Sequence, residues 1–360
     1  MDLVEAFRTQ ADACASLGSP MYAELLGRLA DDIGSGGAAA EVLRGHEDDP
    51  GPSGLALRLA GSLHRLVLAG AEPDLERFYP TRGGTWDLEA AWPVVEGVLR
   101  RRREVLRQLL DQPPQTNEVG RAAALLGGLL LLGERFGLPV RLFEIGGSGG
   151  LNLHADAFRY TDDRGRGWGP DDSPVQLDGA WSGEVPDLGA PVEVVERHGC
   201  DVAPVDVATE DGRLTLASYV WPDMADRHRR LRGALEVARR APVPVRRQEA
   251  ASFVEEIGLV EGRLTVLWHS VMWQYVPRDQ QRRVRRHLDA LGADAGPGRP
   301  LAHLYAEPVR PTPEADHQFW VCLEQWPDGG ERELLGRVAP HGLPVRWEPR
   351  VSSGPPVDRG

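Results

Sequence analysis

The stretch VRLFEIGGSGGLN, Val140 to Asn152, restricts the folds open to this chain more than any other part of it. An apolar run predicts a buried strand that ends on an acidic residue, Glu144. A glycine-rich turn follows (Gly146, Gly147, Ser148, Gly149, Gly150), and then a predicted helix. Glycines let the backbone take φ > 0 and bring main-chain N–H groups close to a ligand. A helix N-terminus behind them would add partial positive charge. Strand, glycine turn and helix together are the opening unit of an α/β sheet that receives a nucleotide-like cofactor.

The remaining composition narrows the chemistry. The chain has 360 residues and a formal charge of -13, which argues against nucleic acid or an anionic membrane surface as partner. Every one of its 41 basic residues is arginine. Without lysine there is no P-loop lysine, no kinase strand lysine and no Schiff base. Cys14, Cys200 and Cys322 form neither a zinc spacing nor a disulfide framework, which suits a reducing cytoplasm. MDLVEAFRTQ is polar within five residues, so no signal peptide is read. The longest apolar run, Ala122 to Leu132, is too short for a bilayer core of ~30 Å and reads as a buried helix.

Residues 1–115 predict an all-helical N-terminal domain, a cap or substrate domain. Leu25, Leu29 and Ile33 recur at helical spacing, as do Leu55, Leu59, Leu63 and Leu66, and Val94, Val98, Val105 and Leu109. Arg100 to Arg103 suggest either a phosphate patch or, on such a helix, a solvated face. DQPPQT (Asp111 to Thr116) reads as a linker, with a helix capped near Asn117. Residues 116–350 predict an α/β domain. Its strand candidates are Val140 to Ile145, Val192 to Glu196, Val243 to Arg247, Leu264 to His269 and Leu301 to Glu307. Helices at Asp226 to Arg240 and Arg278 to Leu291 alternate with them, which implies a mostly parallel sheet. Phe319 to Gln325 and Val345 to Glu348 would close it as an antiparallel hairpin, with a helix-like segment, Glu331 to Val338, between them. Residues 161–190 read as an inserted loop or lid, and 351–360 as a disordered tail.

The glycine turn admits three readings. A dinucleotide fingerprint fails at its third glycine, where Asn152 stands. A serine-hydrolase elbow, G-x-S-x-G, is matched by Gly146, Ser148 and Gly150, with Asp206 or Asp223 and His317 or His341 to complete a triad. The third pattern is acidic-x-G-x-G-x-G, here Glu144, Gly146, Ser148 and Gly150. It resembles the first motif of class I S-adenosylmethionine-dependent methyltransferases, with serine at the middle glycine. In that family the acidic residue lies near the methionine part of the cofactor.

Later spacing extends the resemblance. It implies that Asp201, after the second strand, would meet the ribose hydroxyls, and that Glu249 and Ala250, after the third, would lie beside the adenine. The cofactor-binding set it implies is Glu144, Gly146, Gly147, Gly150, Asn152, Asp201, Glu249 and Ala250. The fold implied is a Rossmann-like, methyltransferase-type sheet. Nearly the whole chain also resembles a bacterial family of uncharacterised proteins, domain of unknown function 2332. That likeness is carried by QTNEVGR, EIGGSGGLNL, YVWPD, HSVMWQYV and HGLPVRW.

His269, at a strand end, suits a general base or a satisfied core histidine. Asn117 and Arg121 suit an acidic substrate group or a capped helix start. Trp273 and Tyr275, with Tyr79 from the helical domain, suit the lining of a substrate pocket or simple core. The pairs His154 with Asp156 and His198 with Asp201 are too sparse for a metal. The expectation is methyl transfer from S-adenosylmethionine to oxygen or nitrogen of a small molecule. A serine hydrolase using Ser148 and a non-catalytic nucleoside-binding protein are the alternatives.

Overall fold

The computed structural model describes residues 2–49, 54–111, 114–312 and 315–352. In chain order its helices are α1 (Leu3–Ser16), α2 (Pro20–Gly34), α3 (Ala38–Leu43), α4 (Leu55–Leu68), α5 (Pro73–Glu76), α6 (Leu88–Arg101), α7 (Arg103–Leu110), α8 (Ala122–Phe136), α9 (Glu210–Ser218), α10 (Ala225–Arg240), α11 (Ala250–Val254) and α12 (Arg278–Asp294). The strands are β1 (Val140–Ile145), β2 (Arg159–Asp162), β3 (Gly167–Trp168), β4 (Gln176–Gly183), β5 (Val194–Asp201), β6 (Val245–Arg247), β7 (Leu264–Ser270), β8 (Leu301–Val309), β9 (Gln318–Trp326), β10 (Glu333–Val338) and β11 (Val345–Ser352). Two compact units result, one of residues Met1–Thr116 with Ala208–Arg229, the other of Asn117–Val207 with Arg230–Gly360.

The first unit is helical. Asp2, Ser19 and Asp87 cap α1, α2 and α6 by accepting the N–H groups of Glu5, Tyr22 and Ala90. Leu25 and Leu29 of α2 and Leu55, Leu59, Leu63 and Leu66 of α4 fill its core. The regular spacing fails at Val105, which is 40 % exposed, while Leu106 and Leu110 are buried. The cause is Arg102, which leaves helical geometry (φ -104°, ψ 13°) and turns the face of α7 relative to α6. Arg101 and Arg102 both pair with buried Glu72, and Arg100 pairs with Glu96. Residues 208–229, which the sequence places in the α/β domain, belong here. The Asp223 carboxylate accepts the Ser19 hydroxyl (2.6 Å) and the Met21 N–H (3.0 Å), and Trp221 joins the helical core.

The second unit is a mixed α/β structure around a sheet of order β3-β2-β4-β11-β10-β9-β8-β7-β1-β5-β6. From β8 to β6 neighbouring strands are parallel, and β8 through β11 run antiparallel toward the C-terminus. β1 and β7 are buried along nearly their whole length, as strands covered on both faces must be. One face carries α11 and α12 over Phe143, Ile145, Leu267 and Leu301. The other receives α8, whose residues from Ala122 to Gly133 are all buried. Close approach there depends on glycine: a Cβ at Gly127 would lie 2.0 Å from the Trp347 ring, and one at Gly128 2.4 Å from Leu304.

Four local expectations are corrected. Residues 161–190 are not a free loop, because β3 and β4 lie in the sheet. Trp181 of β4 is fully buried, stacks on Tyr160 at 5.0 Å and donates its indole N–H to the Ala123 carbonyl of α8. Gly179, at φ 60°, breaks the two-residue alternation that would have revealed the strand. The helix-like segment 331–338 contains strand β10, where a register shift between Leu334 and Gly336 buries both Leu334 and Leu335 and mimics helical spacing. Val351 and Ser352 belong to β11, and residues 353–360 lie outside the described residues. The glycine turn leads into a 3-10 segment, Leu151–Ala157, rather than an α-helix.

Among the described residues no helix is long and apolar enough to cross a membrane. Replacing Gly127 with alanine should lower stability by about 1–3 kcal/mol through overpacking. A fall in the thermal midpoint measures it, and an unchanged midpoint contradicts the tight contact with Trp347.

Candidate functional site

Numbered by sequence, the parallel strands β6-β5-β1-β7-β8 run third, second, first, fourth, fifth. The order therefore reverses between β1 and β7, and ligands in open α/β sheets bind beyond the carboxyl ends at such a reversal. The loops leaving these two strands carry Ser148 and Val271. Both have φ 50°, and they are the non-glycine residues with positive φ among those described. For β-branched Val271 this conformation is strained, and such strain clusters at functional sites.

The turn is held by other segments. Gly147 N–H donates to the Cys200 carbonyl (3.0 Å), Gly150 N–H to the Gly147 carbonyl (2.7 Å), and Val205 N–H to the Ser148 carbonyl (3.1 Å). Side chains complete the hold. Asp201 Oδ2 accepts the Ser148 N–H at 2.9 Å while its Oδ1 accepts the Ala203 N–H at 2.8 Å. Asn117 Oδ1 accepts the Leu151 N–H at 3.0 Å instead of capping its own helix. Asn152 Nδ2 reaches the Glu118 carbonyl at 3.4 Å, and its buried Oδ1 has no partner. The expected display of turn N–H groups to a ligand is thereby corrected. Those of Gly147, Ser148, Gly150 and Leu151 are engaged within the protein.

What the turn meets instead are carboxyl oxygens. Glu144 is 3 % exposed, and its Oε2 is without a hydrogen-bond partner. A Cβ built at Gly147 would lie 3.2 Å from that oxygen, so the carboxyl is directed at the turn. Burial pushes the Glu144 carboxyl up to about 8. The Trp268 indole opposes this, Asp201 adds to it, and Arg121 opposes it. At the next strand end, Gln248 N–H donates to the Asp201 carbonyl (3.0 Å). Exposed Glu249 stands there at the start of α11, followed by buried Ala250.

Arg121 is half-buried, its guanidinium toward the carbonyls of Pro340 (3.3 Å) and Ser270 (3.5 Å). Gly120 and Gly342 let the two segments meet, since a Cβ on either would strike backbone of the other segment at 2.4 and 2.2 Å. Tyr275 is 52 % exposed at the β7 loop. Trp273, in the same loop, stacks on His269 at 5.0 Å. Tyr79 belongs to the helical unit. It is fully buried there, stacked on His64.

His269 is 2 % exposed, with Tyr305 stacked at 5.2 Å as well as Trp273. Its Nδ1 lies 2.8 Å from Glu307 Oε1 and its Nε2 3.0 Å from His303 Nε2. Both ring nitrogens have partners within the protein, the arrangement of a satisfied core histidine. Burial pushes His303 down to about 4. Burial also opposes ionisation of Glu324, yet His303 and Arg285 beside it hold its carboxyl well below the usual range. Sequence reasoning missed Glu307, His303 and Glu324. The only signal was their spacing on β8 and β9, which means nothing until register sets them on one face. Among the described residues no group of three or more metal-ligating side chains is assembled.

The Glu144 carboxyl sets a pH dependence. Between its unfolded value near 4.5 and its folded value of about 8, the folded state holds a proton that the unfolded state has lost. Stability should therefore fall as pH rises through this window, by at most about 1.4 kcal/mol per pH unit from this group. Glu144→Gln should remove that slope and be more stable than the parent at pH 8, as urea unfolding at pH 5 and pH 8 would measure. Parallel curves for the two proteins would refute the assignment.

Comparison with curated proteins finds no match, and comparison with solved structures finds none either. The profile of the family described as "Uncharacterized protein conserved in bacteria (DUF2332)" matches residues 4–347. With nearly its whole length inside that match, the chain belongs to this family of bacterial proteins.

Proposed function

We propose that this protein binds S-adenosylmethionine on a Rossmann-like, methyltransferase-type sheet and transfers its methyl group to oxygen or nitrogen of a small molecule. The observation that carries the reading is the exchange of donors for acceptors at the glycine turn. Four turn N–H groups are consumed internally, while Glu144 and Asp201 turn carboxylates toward it. A phosphate-bearing nucleotide needs those N–H groups. A ligand rich in hydroxyl and ammonium donors needs the carboxylates.

The residues fit such a group. Glu144 has an oxygen without a partner, and its buried carboxyl would give up its proton on meeting the cationic amino-acid end. Each Asp201 oxygen accepts one N–H and retains lone-pair capacity for the ribose hydroxyls. Glu249 and Ala250 stand one strand further along, where the adenine is expected. Ser148 departs from the methyltransferase pattern, but it takes the left-handed conformation that a glycine there would take. The bound cofactor would supply an electrophilic methyl group. The chain's own contribution is then chiefly alignment of the acceptor, for which Arg121, Asn117, Trp273 and Tyr275 are the surrounding groups.

The left-handed Ser148 within Gly146, Ser148 and Gly150 also favours a nucleophile elbow as a second reading. Of its candidate acids, Asp223 is engaged in capping α2.

Calorimetric titration should show binding of S-adenosylmethionine and S-adenosylhomocysteine in the micromolar range and no binding of NAD or ATP. Asp201→Ala should weaken binding about tenfold or more, from loss of charge-assisted hydrogen bonds. Absence of binding to both sulfur nucleosides refutes the reading. Fluorophosphonate labelling that Ser148→Ala abolishes would establish the hydrolase instead.

A further inference from the structure

We propose that Glu307 is the positioning residue of this site, clamping the loop that leaves β7 against the glycine turn. The role deepens the reading above and rests on it for its link to cofactor binding. Glu307 is 4 % exposed at the carboxyl end of β8. Its Oε1 accepts the Met272 N–H at 3.0 Å and the Trp273 N–H at 3.2 Å, and faces His269 Nδ1 at 2.8 Å. Two backbone N–H donors and an imidazole nitrogen on one carboxyl oxygen form a strong, directional anchor in a dry environment.

The loop needs one. Val271 holds φ 50°, a conformation a β-branched residue leaves readily unless its surroundings enforce it. Its N–H is tied to the Ala306 carbonyl at 3.0 Å, one residue before Glu307, and the next two N–H groups go to Glu307 itself. Pinned in this way, the Met272 side chain lies over Gly146, where a Cβ would meet it at 2.9 Å. Trp273 is laid on His269. The loops leaving β1 and β7, on the two sides of the strand-order reversal, are thus set in register by one carboxylate from a third strand. His269, held by His303 behind it, serves as the fixed post on which Trp273 rests.

Hydrogen–deuterium exchange read over residues 271–275, together with calorimetry using S-adenosylhomocysteine, tests the clamp on the full chain. In Glu307→Ala the Met272 and Trp273 amides should exchange about tenfold faster or more, with β7 and β8 still protected. Glu307→Gln keeps an acceptor oxygen and should recover most of that protection. It also serves as the folded variant should the alanine variant not fold, and in it the two amides should still exchange severalfold faster than in the parent. S-adenosylhomocysteine affinity should fall in the same order, parent above glutamine above alanine. Protection unchanged at residues 271–275 in the variants, or lost evenly along β7 and β8, overturns the proposal. Failure of the parent to bind S-adenosylhomocysteine refutes the methyltransferase reading, while the exchange result still decides the clamp.

Discussion

The carboxylate of Asp201 spans two strand ends. One oxygen holds the Ser148 N–H in the turn after β1, and the other holds the Ala203 N–H in its own loop after β5. The shape of the turn follows from this anchor and from Asn117, which grips the Leu151 N–H at the far side. With both in place, Gly146 and Gly150 keep positive φ, Ser148 keeps φ 50°, and Glu144 is left beneath the turn with an oxygen unused. A buried carboxyl in that position resists ionisation, because water cannot reach it and Asp201 repels its charge. The site is thus acceptor-rich at its floor, in a chain whose cations are all arginines.

Polar groups are buried on both faces of the sheet at this end. Trp268 and His269 are consecutive on β7, so their side chains point to opposite faces. Trp268 lies opposite Glu144 in the β1–β7 register, on the face that α8 covers. His269 shares the other face with His303, Tyr305 and Glu307 of β8 and Glu324 of β9, and Arg285 of α12 completes the set by pairing with Glu324. The Glu324 charge is tolerated in the interior because Arg285 pairs with it, and removing Arg285 would strand it.

Long, regular signals were legible in the sequence. The Leu25 and Leu55 repeats predicted buried helical faces, and the apolar run at Ala122 gave the buried stretch of α8 from Ala122 to Gly133. The alternation after Val140 gave the parallel strands, although β5 runs five residues past its expected end at Glu196. Legibility stopped where a local irregularity altered the period. Gly179 disguised β4, the bulge at Leu334 turned β10 into an apparent helix, and the break at Arg102 shifted the buried face from Val105 to Leu106. The 3-10 segment after Gly150 escaped for a related reason. Its composition suits a helix, while its start is tethered to Asn117 and Glu118 and His154 leaves helical geometry.

The sequence alone determined the sharp turn after β1, because glycines at a strand end open left-handed conformations to the backbone. It also determined the absence of lysine chemistry. Which polar groups meet was decided only by the tertiary structure. Glu307 lies 38 residues from His269, and Ser148 lies 53 from Asp201. Such pairings depend on strand order and register, and these are fixed by the packing of whole faces rather than by neighbours along the chain. The same packing enclosed His269 between two rings and took both its nitrogens. A residue that reads as a lone imidazole in one dimension is held on every side in three.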